Sequence, residues 1–177
     1  MATTLLPHPG FLLKVLDHIE SRLPKLLESD DEWQTLDVNY EPPRVERLWM
    51  QYDADYRLYL HRIHPCEKAL FHPHPWPSAI KIVSGVYEMA VGYGIGKKDP
   101  PEAARLRLTS GASYEMVDQN GWHYVRPIGG PSLSVMVTGN PFDLRHLGTP
   151  PVTKPLGPLN EKDRDDLFNE FRKIYWR

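Results

Sequence analysis

Residues 71–85, FHPHPWPSAIKIVSG, constrain the fold of this chain more than any other stretch. His72 and His74 are one residue apart, and in an extended backbone that spacing puts both imidazoles on one face. The β-branched run Ile80-Lys81-Ile82-Val83, closed by Gly85, reads as a half-buried strand ending in a turn, so the pair sits beside a rigid scaffold. Lys81 alternates with Ile80 and Ile82, which assigns it to the opposite, solvated or ion-paired face. Trp76, between two prolines, is placed as a plug at the mouth of whatever cavity the histidines face.

The chain around this stretch is written in short pieces. From Arg44 onward, runs of strand length at 45–51, 56–64, 78–83, 86–93, 105–109, 113–117, 121–126 and 133–138 are separated by Gly, Pro, Asn and Asp. The chain has 18 prolines, and they fall between these runs, which excludes long helices from its middle. Antiparallel strands in a sandwich or barrel follow. Arg105-Leu106-Arg107-Leu108 alternates cleanly and predicts one wet and one buried face. Helical spacing is confined to the ends. Phe11, Leu12, Val15, Leu16, Ile19, Leu23, Leu26 and Leu27 form one stripe, with Pro24 expected to kink or split it, and residues 28–43 read as loop. Near the other end, Asn160 is an N-cap before the stripe Leu167, Phe168, Phe171, Ile174 and Tyr175, after a proline-rich connector at 149–158. That helix has to dock, either on its own barrel or on a second copy, so a homodimer is left open. The expected organisation is an N-terminal helical segment at 1–43, a barrel at 44–146, and a connector with C-terminal helix at 147–177.

A net charge of -2 gives no support for a nucleic-acid or acidic-membrane surface. The one cysteine, Cys66, permits no internal disulfide and points to a reducing compartment. The first twenty residues lack a cationic start and are interrupted by Pro7, Pro9 and Lys14, unlike a signal peptide or a membrane span, so a cytoplasmic location is expected. Gly92, Gly94 and Gly96 lack the strand-to-helix context of a phosphate cradle and read as a turn.

A third histidine, His123, lies in Gly121-Trp122-His123-Tyr124-Val125 on a late strand. A histidine pair, a strand, a glycine and then a lone late histidine together resemble the cupin superfamily. Its first motif maps onto His72, His74, Ser78 and Gly85, with Ser78 where a glutamate is usual; of the second motif His123 and Gly111 match, without its proline and distal asparagine. Within the cupins, residues 47–143 resemble the thiol dioxygenases of the cysteine dioxygenase type. The similarity runs through 78–85 (SAIKIVSG), 121–125 (GWHYV) and 131–143, which opens Pro131-Ser132-Leu133-Ser134 and closes Pro141-Phe142-Asp143. The resemblance implies an all-β cupin barrel (double-stranded β-helix, jelly roll) with flanking helices, His72, His74 and His123 as metal ligands, and no metal-bound carboxylate. It also implies an arginine for the substrate carboxylate, at Arg47 by spacing, with Arg44, Arg57 and Arg62 as neighbours. Where that family carries Ser, His and Tyr on the last strand, this chain reads Ser134, Met136 and Thr138, and Ser78 stands where the family's crosslinking cysteine falls.

Three neutral imidazoles suit Fe(II), Ni, Cu, Mn or Zn and leave positions open for substrate. They also leave the ion's charge uncompensated, which favours an anionic substrate, a thiolate or a carboxylate. The expected function is a metal-dependent oxidoreductase of the thiol dioxygenase type, Fe(II) first among the metals. Its substrate would be a small carboxylate-bearing thiol, contacted by Arg47, Arg62 and Ser134. Two other readings stand beside it: a cupin that binds metal and senses a small anion, and a non-oxidative isomerase or hydrolase. His61 and His64 flank Arg62 and are further candidates for the pocket; His18 and His146 are read as surface residues.

Overall fold

The computed structural model describes residues 8–95, 99–142 and 156–176. Leu12, Leu16 and Ile19 recur at helical spacing and are the buried stripe of α1 (Phe11–Glu20). The stripe continues in sequence, but the helix breaks at Ser21-Arg22 and restarts as α2 (Leu23–Leu26) with Pro24 in its first turn, where a missing N–H leaves no bond unmade. The strands are β1 (Gln34–Val38), β2 (Val45–Gln51), β3 (Arg57–Ile63), β4 (His72–Pro73), β5 (Ser78–Ser84), β6 (Val86–Tyr93), β7 (Glu102–Thr109), β8 (Ser113–Met116), β9 (Gly121–Pro127) and β10 (Ser132–Thr138), and α3 (Glu161–Tyr175) follows. Two strands differ from the sequence reading. β1 lies inside the segment read as loop, and β4 has only two residues, too few to show alternation.

All pairings are antiparallel, in one sheet ordered β1-β2-β3-β10-β5-β8 and another ordered β4-β9-β6-β7. From β3 onward this is the strand order of a double-sheet jelly roll, with β1 and β2 extending the first sheet. The sheets face each other, and the Tyr87 hydroxyl on β6 donates to that of Tyr114 on β8 at 3.1 Å between them.

β10 shows what each face does. All seven of its residues are buried because neither face meets water. Leu133, Val135 and Val137 join Leu48, Leu58, Leu60, the stripe of α1 and α2, and Leu167, Phe168 and Phe171 of α3 in the main core. The alternate residues point between the sheets, where Met136 packs with Tyr59 and Ile80. Burying each large apolar side chain contributes about 1.5–3 kcal/mol, so the helices are held by the outer face of this sheet. The C-terminal helix therefore docks on its own chain. Asn160 caps it, its side-chain oxygen accepting the Asp163 N–H at 2.9 Å, and Glu161 and Asp163 supply the negative charge favoured in a first turn.

The expectation for β7 is corrected. It is the edge strand of the four-stranded sheet, and its apolar face is covered only at one end: Leu106 is 44% exposed, while Leu108 is half-buried against the cluster of Ile82, Tyr87 and Val125. Its alternation reflects a strand whose apolar face is covered at Leu108 and open at Leu106. Gly85 has φ +84°, and a Cβ there would sit 2.9 Å from the Pro131 carbonyl oxygen, which explains why glycine ends β5. His146, Gly96 and most of the proline-rich connector lie outside the described residues. Among the described residues no helix is long and apolar enough to cross a membrane.

Candidate metal centre

β4 and β9 bring the histidines together. His72 on β4 is the cross-strand partner of His123 on β9, and the period-2 spacing places His74 beside them. One ring nitrogen from each of the three lies within 4.8 Å of the other two. In His72 and His74 the other nitrogen sets the ring orientation. His72 Nδ1 meets the Leu70 carbonyl oxygen at 2.9 Å, and His74 Nδ1 meets Ser78 Oγ at 2.7 Å, which leaves each Nε2 free for the centre.

His74 Nε2 and His123 Nε2 are 2.9 Å apart. Two lone pairs cannot face each other at that distance without a proton or a cation between them. Metal–imidazole bonds of about 2.1 Å at right angles put adjacent nitrogens about 3.0 Å apart, so the spacing fits a shared divalent ion. The rings are also in the state a metal requires. Burial holds His72 below the ordinary imidazole value, with Arg47 adding to the effect; burial, then His72 and Arg47, push His74 down to about 3; and burial, then His74 and His72, hold His123 well below its usual range. All three are neutral donors at neutral pH. No carboxylate belongs to the group, which makes it a neutral three-nitrogen set.

The other expected residues divide between two faces. Arg47 on β2 is cross-strand to His61 on β3, and His61 to Ser134 on β10, and all three lie on the face turned toward the histidine sheet. Arg47 has its guanidinium carbon 5.1 Å from the centre of the Tyr59 ring. Its field depresses the titration of His61, His72 and His74. Arg62 is a correction. One position along β3 from His61, it points to the outer face, where it pairs with Glu46 and, at 3.2 Å, with Glu170 of α3. Arg44 joins the same outer network through Asp37, Glu46 and Asp163, and Arg57 lies over the Trp49 ring. Period-2 alternation separates Arg47 from Arg44 and Arg62, while Arg57 shares the parity of Tyr59 and His61 and lies at the end of the same face. Lys81 pairs with Glu20 of α1 at 2.6 Å, on the outer face as expected.

Trp76 edges a surface cavity of about 350 Å³, lined also by Gln51, Arg57, Thr138 and Asn140, at the end of β10 next to Ser78. A larger groove of about 600 Å³ lies elsewhere, around Glu88, Tyr124 and Arg126, and contains none of the three histidines. The sequence reading passed over Tyr114, whose ring lies edge-on to His123 with centroids 6.0 Å apart. Burial raises its hydroxyl well above the usual tyrosine range. The available signal was the alternation Ser113, Tyr114, Glu115, Met116, too short to decide a face.

No protein-family model matches the chain, and no curated protein does. Among solved structures, Fe(II)-HppE with the alternative substrate (S)-1-HPP superposes with a TM-score of 0.50 at 15% identity, over 62% of this chain and 57% of that one. KdgF from Halomonas sp. gives 0.46 at 17% identity, over 64% and 92%. An RmlC-like cupin from Shewanella frigidimarina gives 0.45 at 13% identity, over 67% and 92%. This chain thus spans a little over half the length of the first of them, 57%. The likeness is one of fold alone, a double-sheet jelly roll, and the chemistry has to be read from this chain's own residues.

Proposed function

We propose that this chain, a cupin-type jelly roll with a three-histidine metal centre, is a mononuclear metal-dependent oxidoreductase of the thiol dioxygenase type. The observation that carries the reading is the convergence of His72, His74 and His123 as a neutral donor set without a carboxylate. A divalent ion held by three neutral ligands keeps its full charge and draws an anionic substrate atom, a thiolate being the one the sequence resemblance implies. Fe(II) is the first candidate, and it would supply the redox chemistry that brings O2 to a thiol. Ni, Cu, Mn or Zn would fit the same donors; zinc would supply no redox step.

The chain's own residues supply the rest. The Leu70 carbonyl and Ser78 fix two imidazoles in the Nε2-donating orientation. Arg47, on the facing sheet, is the cation for the substrate's anionic group, a carboxylate in the resembled family, and Ser134 stands two strands away. Met136 and Thr138 leave β10 without an imidazole or a phenol, so a phenol near the centre has to come from another strand, as Tyr114 of β8 does. The lone cysteine agrees with a reducing, cytoplasmic setting, where a thiol substrate stays reduced.

The test is metal content after purification without added metal, then anaerobic Fe(II) loading and an O2-uptake screen over small thiols. About one iron per chain, lost in the His72, His74, His123 to Ala triple variant, together with thiol-dependent O2 uptake is the expected result. Bound metal without O2 uptake for any thiol replaces the dioxygenase with the anion-sensing or non-oxidative reading. The absence of metal binding under every loading condition removes the centre.

A further inference from the structure

Phe71, Gly92, Trp122 and Tyr124 meet on the outer face of the four-stranded sheet, behind the strands that carry His72 and His123. Trp122 and Tyr124 flank His123 on β9, and alternation turns them away from the face that His123 serves. Phe71 precedes His72 and packs on both, with ring centroids 6.0 Å from Trp122 and 6.1 Å from Tyr124. Gly92 is the cross-strand partner of Trp122, one position from the pair Val91 and His123. The sequence reading places Gly92 in a turn; it lies within β6, and its φ is outside the left-handed region, so the backbone conformation does not call for glycine. Space does. A Cβ at Gly92 would lie 2.8 Å from Phe71 Cζ, 3.2 Å from Phe71 Cε1 and 2.8 Å from the Pro101 carbonyl oxygen. The end of the Phe71 ring therefore sits in a notch that only a residue without a side chain leaves open.

The histidine pair has few other supports. β4 is two residues long and pairs only with β9, and Pro73 and Pro75 have no N–H to give to a ladder. Downstream, the Phe142 N–H bonds to the Pro75 carbonyl and the Gly139 N–H to the Pro77 carbonyl, both at 2.9 Å, which ties the His74 end to the exit of β10. Upstream, the Leu70 N–H bonds to the Pro42 carbonyl at 2.8 Å and fixes where the chain enters. The Phe71 ring, wedged against β9 and β6, fixes how closely β4 lies on β9 and so how far His72 reaches toward His123. The Leu70 carbonyl that meets His72 Nδ1 at 2.9 Å is joined to His72 through Phe71, so the same wedge governs that contact.

We propose that Phe71, seated in the Gly92 notch, is a positioning residue of the metal centre: it sets His72 against His123 and keeps the His72 ring in the Nε2-donating orientation. This role rests on the three-histidine centre of the proposed function and is independent of the thiol reaction. Phe71 is half-buried and belongs to none of the three apolar clusters of the core, so changing it alters the position of His72 more than the fold.

The test takes two readings on the full chain: Co(II) affinity by competition with a chelator, and the tautomer of the His72 ring by nitrogen-15 NMR before metal is added. Phe71→Ala should lower Co(II) affinity at least about tenfold, the scale on which outer supports of ligating histidines act, and should turn His72 from a single Nδ1–H tautomer into a mixture. Gly92→Ala should lower affinity as well, but by little when added to Phe71→Ala, because its methyl acts by displacing the ring. His72→Ala should cost less affinity in the Phe71→Ala background than in the wild-type chain. Phe71→Leu, which keeps an apolar contact and lacks the ring end, should fall between wild type and Phe71→Ala; it replaces Phe71→Ala in every comparison if circular dichroism shows that variant unfolded. Unchanged affinity and tautomer, or full additivity with His72→Ala, overturns the role. Full additivity of Gly92→Ala assigns its effect to the Pro101 carbonyl and removes the notch. A wild-type chain that takes up no Co(II) loses the metal centre, and the His72 tautomer in the Phe71 variants then decides by itself whether Phe71 holds the ring.

Discussion

Two side chains carry separate consequences at the scale of the residue. Ser78 is fully buried and its hydroxyl meets His74 Nδ1, so its work is to hold one ligand's ring. Ser78→Ala should leave the fold intact and weaken metal binding by roughly 10–100-fold, measured by competition with a chromogenic chelator, because outer partners of ligating histidines are worth that much. Its identity was readable, since it stands where a cupin motif usually has a glutamate, but its role was not. Only the folded chain shows the hydroxyl turned to the histidine. Gly85 is the second case. Its left-handed backbone and the 2.9 Å approach to the Pro131 carbonyl leave no place for a methyl group. Gly85→Ala should lower stability by about 2 kcal/mol or more, measured by urea unfolding.

Strands and helices were legible to different degrees, and the reason is how many residues report on each face. Runs with a β-branched or alternating pattern over five or more positions, such as β5, β6, β9 and β10, lie within a residue or two of where the pattern puts them. β4 is two residues long and exists because β9 pairs with it; no local signal could have found it. β7 alternates and is nonetheless covered only at Leu108, because alternation records a strand and says nothing about how far another layer extends over its apolar side. α3 was legible through its cap and stripe, and the structure adds its dock. Phe171 is fully buried against the outer face of the six-stranded sheet, so Phe171→Ala should cost about 3–5 kcal/mol, seen as a fall in the thermal midpoint. Metal affinity should be unchanged in that variant at temperatures where it is folded, since the helix packs on the face away from the histidines.

For the whole molecule, the main core and the metal centre lie on opposite sides of one sheet. The helices and the outer faces of β2, β3, β5 and β10 form an apolar cluster that contains none of the three histidines. Stability therefore has a source independent of the metal. Chelation should leave the far-ultraviolet circular dichroism unchanged, and saturating metal at about one hundred times its dissociation constant should add about 2.7 kcal/mol, read as a raised unfolding midpoint. Unfolding on chelation would show that the ion is structural. The same partition explains the ionic residues. Arg44, Arg62, Glu46, Asp37, Asp163 and Glu170 form a network between the sheet edge and α3, while Arg47, one alternation away, turns inward.

What the sequence determined by itself is what local spacing can encode: the strand-and-turn grammar of the middle, the helices at the ends, and three histidines spaced so that an extended backbone can bring them to one point. The resemblance to cupins rested on that same spacing, and the jelly-roll strand order agrees with it. Tertiary structure alone decided which face each residue serves. Arg47 and Arg62 are equally arginine and equally on strands, and only the pairing of β2 with β3 and the helices laid on one side of them make one an interior cation and the other part of an outer salt bridge. His61 and Ser134 were single residues in a list until the register of β3 with β10 set them beside Arg47. The physical reason is that a side chain's face is a local property, whereas what covers that face depends on contacts between residues far apart in the chain.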